Sequence, residues 1–65
     1  METFFDSNNQ EIKIGDTIVY DDIDHNLFQT TGVVRKNLID VFEVINIDLQ
    51  SGNDLANITN ITICQ

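Results

Sequence analysis

Sixty-five residues carrying eleven Asp and Glu against three Lys and Arg, for a net charge of -8, suffice for one domain around one small core. That charge disfavours direct nucleic-acid binding and adsorption to an anionic membrane, both of which depend on Lys and Arg meeting phosphates. A single Cys, Cys64, and a single His, His25, supply neither an intramolecular disulfide nor a closed zinc site, so a homodimer or higher oligomer is the remaining route to reinforcement.

No apolar run exceeds three residues, so the sequence offers no membrane span and no signal-peptide core. A cytoplasmic location in a bacterial host cell is expected. Ten Ile and eight Asn against one Ala match the output of an AT-rich genome, that of a low-GC bacterium or its phages.

Phe4 and Phe5 precede Asp6-Ser7-Asn8-Asn9, whose short polar side chains bond nearby backbone and accept left-handed conformations, so a turn is predicted there. Ile12, Ile14, Ile18 and Tyr20 share one parity, which puts them on one face of a strand running from Gln10 to Tyr20, bent at Gly15-Asp16. Asp21-Asp22-Ile23-Asp24-His25-Asn26 lacks a strand pattern and reads as an exposed acidic loop between antiparallel strands. Leu27 to Lys36 is the second strand, rich in β-branched residues, with Gly32 marking a bulge or a tight corner. Asn37 to Asp40 make the next turn.

Val41 to Leu49 is the most apolar stretch, yet its alternation is broken. Phe42 and Val44 share a parity with Asn46, whereas Ile45, Ile47 and Leu49 share one with Glu43. A phase switch near Val44-Ile45 would bring most of these inside; without it a second apolar face is left to pack on another molecule. Ser51-Gly52-Asn53-Asp54 reads as a break, Leu55-Ala56-Asn57 as one helical turn, and Ile58 to Cys64 as the last strand. The chain is therefore read as all-β and one domain over residues 1-65. Its five strands make a small barrel or a strongly bent antiparallel sheet, with at most one short helical turn.

The stretch from Phe5 to Asp21 resembles the opening of the YopX family of small phage proteins. That family starts with an Asp, a polar residue, Asn-Gly, a polar residue, Glu-Ile and, two residues later, Gly-Asp with an apolar pair. Here Asp6-Ser7-Asn8-Asn9-Gln10-Glu11-Ile12 and Gly15-Asp16 follow that order, with Asn9 in place of the turn Gly. Gly32-Val33-Val34 and Phe42-Glu43-Val44 also sit where such proteins carry a Gly-Val-Val strand and its Phe-containing partner. The same elements are similar to those of Src-homology-3-like barrels. Over the first two thirds of the chain, the resemblance implies that fold and a mobile-element origin, and it carries over no catalytic residue.

Asp22-Ile23-Asp24-His25-Asn26 spaces oxygen donors as the start of a calcium-binding EF loop does, but Leu27 stands where that loop needs Gly and Val33 where it needs Glu. His25 lacks the nucleophile and pocket that a general base requires, and Cys64 lacks a cationic neighbour to favour thiolate. No enzymatic activity, metal or cofactor is predicted.

The acidic residues remain. Asp21, Asp22 and Asp24 form one predicted cluster with Phe28 as an aromatic anchor, Asp40 lies in the next turn, and Glu43 and Asp48 line a sheet face. This set predicts a non-enzymatic phage or mobile-element protein that occludes a basic surface of a protein partner, as an inhibitor of a host nucleic-acid-binding or defence protein would, by imitating nucleic acid. Two alternatives stand beside it. One is an oligomer that encloses a signalling nucleotide, with Lys13, Arg35 and Lys36 as its only cations; the other is a self-assembly module packing through Val41 to Leu49.

Overall fold

Alternation at period two, interrupted by Asn- and Asp-centred turns, folds the described residues into five antiparallel strands. In a computed structural model that describes residues 3–48 and 52–64, these are β1 (Thr17–Asp22), β2 (Leu27–Lys36), β3 (Phe42–Asn46), β4 (Gly52–Asp54) and β5 (Thr59–Ile63). They form one sheet in the order β4-β3-β2-β1-β5. The all-β, five-stranded expectation holds. The sheet is bent and open, with β4 and β5 as its edges, and is not a closed barrel.

Register decides what faces the core. Ile18 pairs with Gly32 and Tyr20 with Thr30, while Gly32 pairs with Asn46 and Val34 with Val44, so all of these residues share one side of the sheet. On that side Ile18, Tyr20, Val34 and Val44 join Ile12, Leu55, Ile58 and Ile61 in the buried core. Phe4 and Phe42 close one margin, with their rings edge to face and centroids 5.6 Å apart.

Both predicted polar turns are present, and each is built by one side chain. Asp6 Oδ1 accepts from the amides of Asn8 and Gln10, and Asn37 Oδ1 from those of Ile39 and Val41; Asn9 and Asp40 complete the turns at φ 64. Asp6 also reaches the far end of the chain. Its Oδ2 accepts from the Ile63 amide, while the Ser7 amide donates to Ile61 O at 2.7 Å, which covers the outer edge of β5. The amides, Gln10 first, hold the Asp6 carboxyl below its ordinary value against the opposing cost of desolvation.

Several expectations are corrected. The strand expected from Gln10 begins only at Thr17, because Asp16 Oδ2 accepts from the Lys13 amide at 2.8 Å and closes a turn in which Gly15 takes φ 95. Ile14 is consequently 59 % exposed, whereas Ile12 is buried. The register shifts around Asp21, where β2 (between Leu27 and Thr30) and β5 (between Thr59 and Thr62) each carry one extra residue, and not at Gly32, whose pairing is continuous on both sides. Gly32 marks a close approach instead.

No phase switch occurs in β3. Its register with β2 is unbroken from Phe42 to Asn46, so Val44 and Asn46 turn inward and Ile45 and Ile47 outward. Gly52–Asp54, expected as a break, is strand β4, because it pairs with β3 through Ile45, Val44 and Glu43. Leu49 and Ser51 lie outside the described residues. Among the described residues there are two 3-10 turns where at most one was expected. Leu55–Asn57 was anticipated and is capped by Asp54 Oδ1 accepting from the Ala56 amide; Ile23–His25 was not, and Asn26 closes it at φ 56.

Candidate functional site

The outer side of the sheet follows from the same parity. Val19 stands opposite Thr31 on β2 and Thr62 on β5, Val33 stands opposite Ile45, and the Ile47 amide donates to Thr31 O. Val33 is 37 % and Ile47 54 % exposed, with Val19 and Ile45 half-buried. An apolar stripe thus crosses β1, β2 and β3 on the side away from the core.

Carboxylates border this stripe. Glu43 faces Arg35 on one neighbouring strand and Asp54 on the other. Arg35 donates through Nε and Nη2 to Glu43 Oε2 at 3.3 and 3.2 Å, and Gly52 leaves the space that the Glu43 carboxylate occupies. With Arg35 engaged, the border keeps the negative charge of Asp21 and Asp54. Asp21 closes the other end, lining a shallow cleft with Val19, Gln29, Asn60 and Thr62.

Asp21 is held in place by two unusual neighbours. It accepts from the Gln29 amide at 2.7 Å and from Asn60 Nδ2 at 2.8 Å, and both residues adopt left-handed backbone, at φ 47 and φ 53. The Gln29 amide chiefly, with Asn60, keeps the Asp21 carboxyl below its ordinary value. The group is therefore ionised and fixed.

The predicted acidic set is split. Asp21 and Glu43 border the outer face together. Asp24 is exposed in the first 3-10 turn, and Phe28, at the start of β2, is 61 % exposed. Asp40 sits at the β2–β3 turn, paired with Lys36 Nζ at 3.2 Å, and Asp48 is exposed just beyond β3, where its amide donates to Asn46 Oδ1. Asp22 is the correction. It shares the inward parity of Ile18 and Tyr20 and is 1 % exposed, so it is no surface contact.

Around Asp22 lies a polar cluster that the loop assignment concealed. Asp22 Oδ2 accepts from Asn53 Nδ2 at 2.7 Å and lies 2.8 Å from His25 Nδ1; the Tyr20 hydroxyl donates to Asn53 Oδ1 at 3.5 Å, and Asn46 also bonds Tyr20. His25, 66 % exposed at its side chain, brings the cluster to the surface. The arrangement ties the β1–β2 connection to edge strand β4 and fixes their relative position. The available signal was parity: carrying the Ile18, Tyr20 alternation two residues further points Asp22 inward.

Burial pushes the Tyr20 hydroxyl above its ordinary value of 10.0, the Asn46 bond opposes this, and the Asp22 carboxylate adds to it. A raised value in the folded state means that the stability from neutral Tyr20 is fully present below pH 10.0 and is lost as pH rises through the folded value. Tyr20 is the only Tyr and there is no Trp, so tyrosinate absorbance reads this one group. Alkaline titration is expected to give a midpoint above that of the urea-unfolded chain, with unfolding as the phenolate forms. Tyr20→Phe should lose this alkaline limb; coincident midpoints in folded and unfolded chain would refute the assignment.

Among the described residues, no three His, Cys, Asp or Glu side chains are grouped to hold a metal ion, and no helix is long and apolar enough to cross a membrane. Cys64 is exposed with a free thiol. Comparison with protein-family models, with curated proteins and with solved structures returned no match.

Proposed function

We propose that the protein is a non-enzymatic interaction module that occludes a basic surface of a protein partner through the outer face of its sheet. The observation that carries this reading is the apolar stripe of Val19, Val33, Ile45 and Ile47, bordered by the carboxylates of Asp21, Glu43 and Asp54. An apolar centre supplies dehydrated contact area, and a charged border steers approach and selects the sign of the partner. The Lys and Arg side chains that such a border engages are those a nucleic-acid-binding protein uses on phosphates. Inhibition of a host nucleic-acid-binding or defence protein is the role that fits. A phage or mobile-element origin, and likeness to a Src-homology-3-like fold, rest on the resemblance of Phe5 to Asp21 together with Gly32-Val33-Val34 and Phe42-Glu43-Val44.

A signalling nucleotide is less well served. Arg35 is engaged by Glu43 and Lys36 by Asp40, so a phosphate would have to displace a carboxylate from either one.

Affinity capture from bacterial lysate with the wild-type chain and with a Val33→Thr, Ile47→Asn variant tests the proposal. Both substitutions fall on exposed positions and should leave the fold intact. The wild type is expected to retain a basic protein that elutes as salt is raised to about 0.5 M, where charge attraction is screened within a few ångströms. The variant should lose that protein, and adding the wild type should reduce the captured protein's own nucleic-acid binding. An empty capture, an acidic protein, or retention indifferent to salt and to the variant would each count against the proposal.

A further inference from the structure

Of the three carboxylates that border the outer face, two are already engaged within the fold. Glu43 holds Arg35, and Asp54 Oδ1 accepts from the Ala56 amide as the cap of the second 3-10 turn. Asp21 differs, because it is fixed and has no basic partner among the described residues. Each of its oxygens uses one acceptor position at home, Oδ1 on the Gln29 amide and Oδ2 on Asn60 Nδ2. A carboxylate offers about four such positions, so one stays open on each oxygen, and a planar fork of two N–H donors fills that pattern.

The backbone around Asp21 holds this geometry at a cost. β2 and β5 each carry an extra residue beside it, and in both places a non-glycine residue takes left-handed backbone, Gln29 at φ 47 and Asn60 at φ 53. Such conformations persist where the surrounding structure over-determines them, commonly at ligand clamps. The cleft they frame is lined by Val19, Asp21, Gln29, Asn60 and Thr62. That lining holds no cation to compete for Asp21 and no aromatic ring to cage a methylated ammonium, while Val19 offers an apolar wall to an aliphatic stem.

We propose that this cleft is an arginine-binding site, in which a guanidinium from the protein partner forks onto the two oxygens of Asp21 with its stem along Val19. The inference rests on the outer face being the partner's contact surface, and it names the group that the partner brings there. A lysine ammonium, a point charge, gains less from two coplanar acceptors than the fork does.

Titration of the nitrogen-15-labelled protein with N-acetyl-arginine amide and with N-acetyl-lysine amide at low salt tests the site by nuclear magnetic resonance. The arginine probe is expected to shift the Gln29 amide and the Asn60 side-chain amide saturably, with a dissociation constant at least about fivefold below that of the lysine probe. Asp21→Asn should weaken arginine binding at least about tenfold, whereas Glu11→Gln, which removes one exposed charge elsewhere, should leave it within about twofold. Asn60→Gly suits the left-handed backbone and keeps the Asp21 charge, so it should stay folded, bind the arginine probe more weakly and lose the preference over lysine. Equal responses to the two probes, shifts that bypass Gln29 and Asn60, or an Asp21→Asn variant that binds like the wild type would overturn the proposal. Lysate capture separates the two readings. A partner lost by the Val33→Thr, Ile47→Asn variant yet kept by Asp21→Asn overturns the arginine site and leaves the outer-face reading standing, whereas an empty capture beside an arginine-selective shift supports the site and counts against that reading.

Discussion

Gly32→Ala is expected to lower the melting temperature by about 10 °C or more, a large share of the stability of so small a domain. A Cβ at position 32 would stand 2.5 Å from Val44 Cγ2 and 2.6 Å from the Ile45 carbonyl oxygen. Neither neighbour can yield cheaply. Val44 is fully buried, and the Ile45 carbonyl belongs to a residue paired on both sides, with β2 and with β4. Overpacking of this kind costs about 1–3 kcal/mol, and more where backbone must move. Against it stands a gain of about 0.5–1 kcal/mol from reducing the freedom of the unfolded chain, too small to reverse the sign. Thermal unfolding followed by Tyr20 fluorescence measures the difference. An unchanged or raised melting temperature would show that β2 and β3 are not packed this closely.

Leu55→Ala should cost still more, about 2–5 kcal/mol by removal of a buried aliphatic side chain. Leu55 is 2 % exposed and sits in the 3-10 turn between β4 and β5, the two edges of the sheet. Its side chain is the means by which the crossing from one edge to the other is pinned onto the core. Leu38→Ala serves as the control, because the same side chain at 106 % exposure has no burial to lose. Urea titrations of both variants are expected to separate them by at least about 2 kcal/mol, and equal midpoints would place Leu55 outside the core.

Strand β2 was legible to the residue from Leu27 to Lys36, since β-branched residues fill it and strong turn formers bound it on both sides. Strand β4 was not. Gly52, Asn53 and Asp54 are all residues that strands avoid, and only pairing with β3 makes them extended. Ile14 was misplaced for a related reason: the Asp16 side chain takes the Lys13 amide, a local bond that hydrophobic parity cannot report. The imperfect alternation of Val41 to Leu49 held the outer face in view. Its two resolutions, a switch of phase or an uncovered apolar side, could be separated only by the register with β2. Asp21 and Glu43 were readable as surface carboxylates, but their place on one border came from strand pairing, and so did the withdrawal of Asp22 into the interior.

The bond from Asp6 to the Ile63 amide, together with the pairing of β1 and β5, joins segments as far as 57 positions apart. The β1-β2-β3 meander can form early, but its inner face stays wet until Leu55, Ile58 and Ile61 arrive from the far end of the chain. Closing so long a loop loses entropy before any contact compensates for it. The chain should therefore fold in one cooperative step on the millisecond-to-second scale, slowly for its length, and a fragment ending before β5 should not hold the fold.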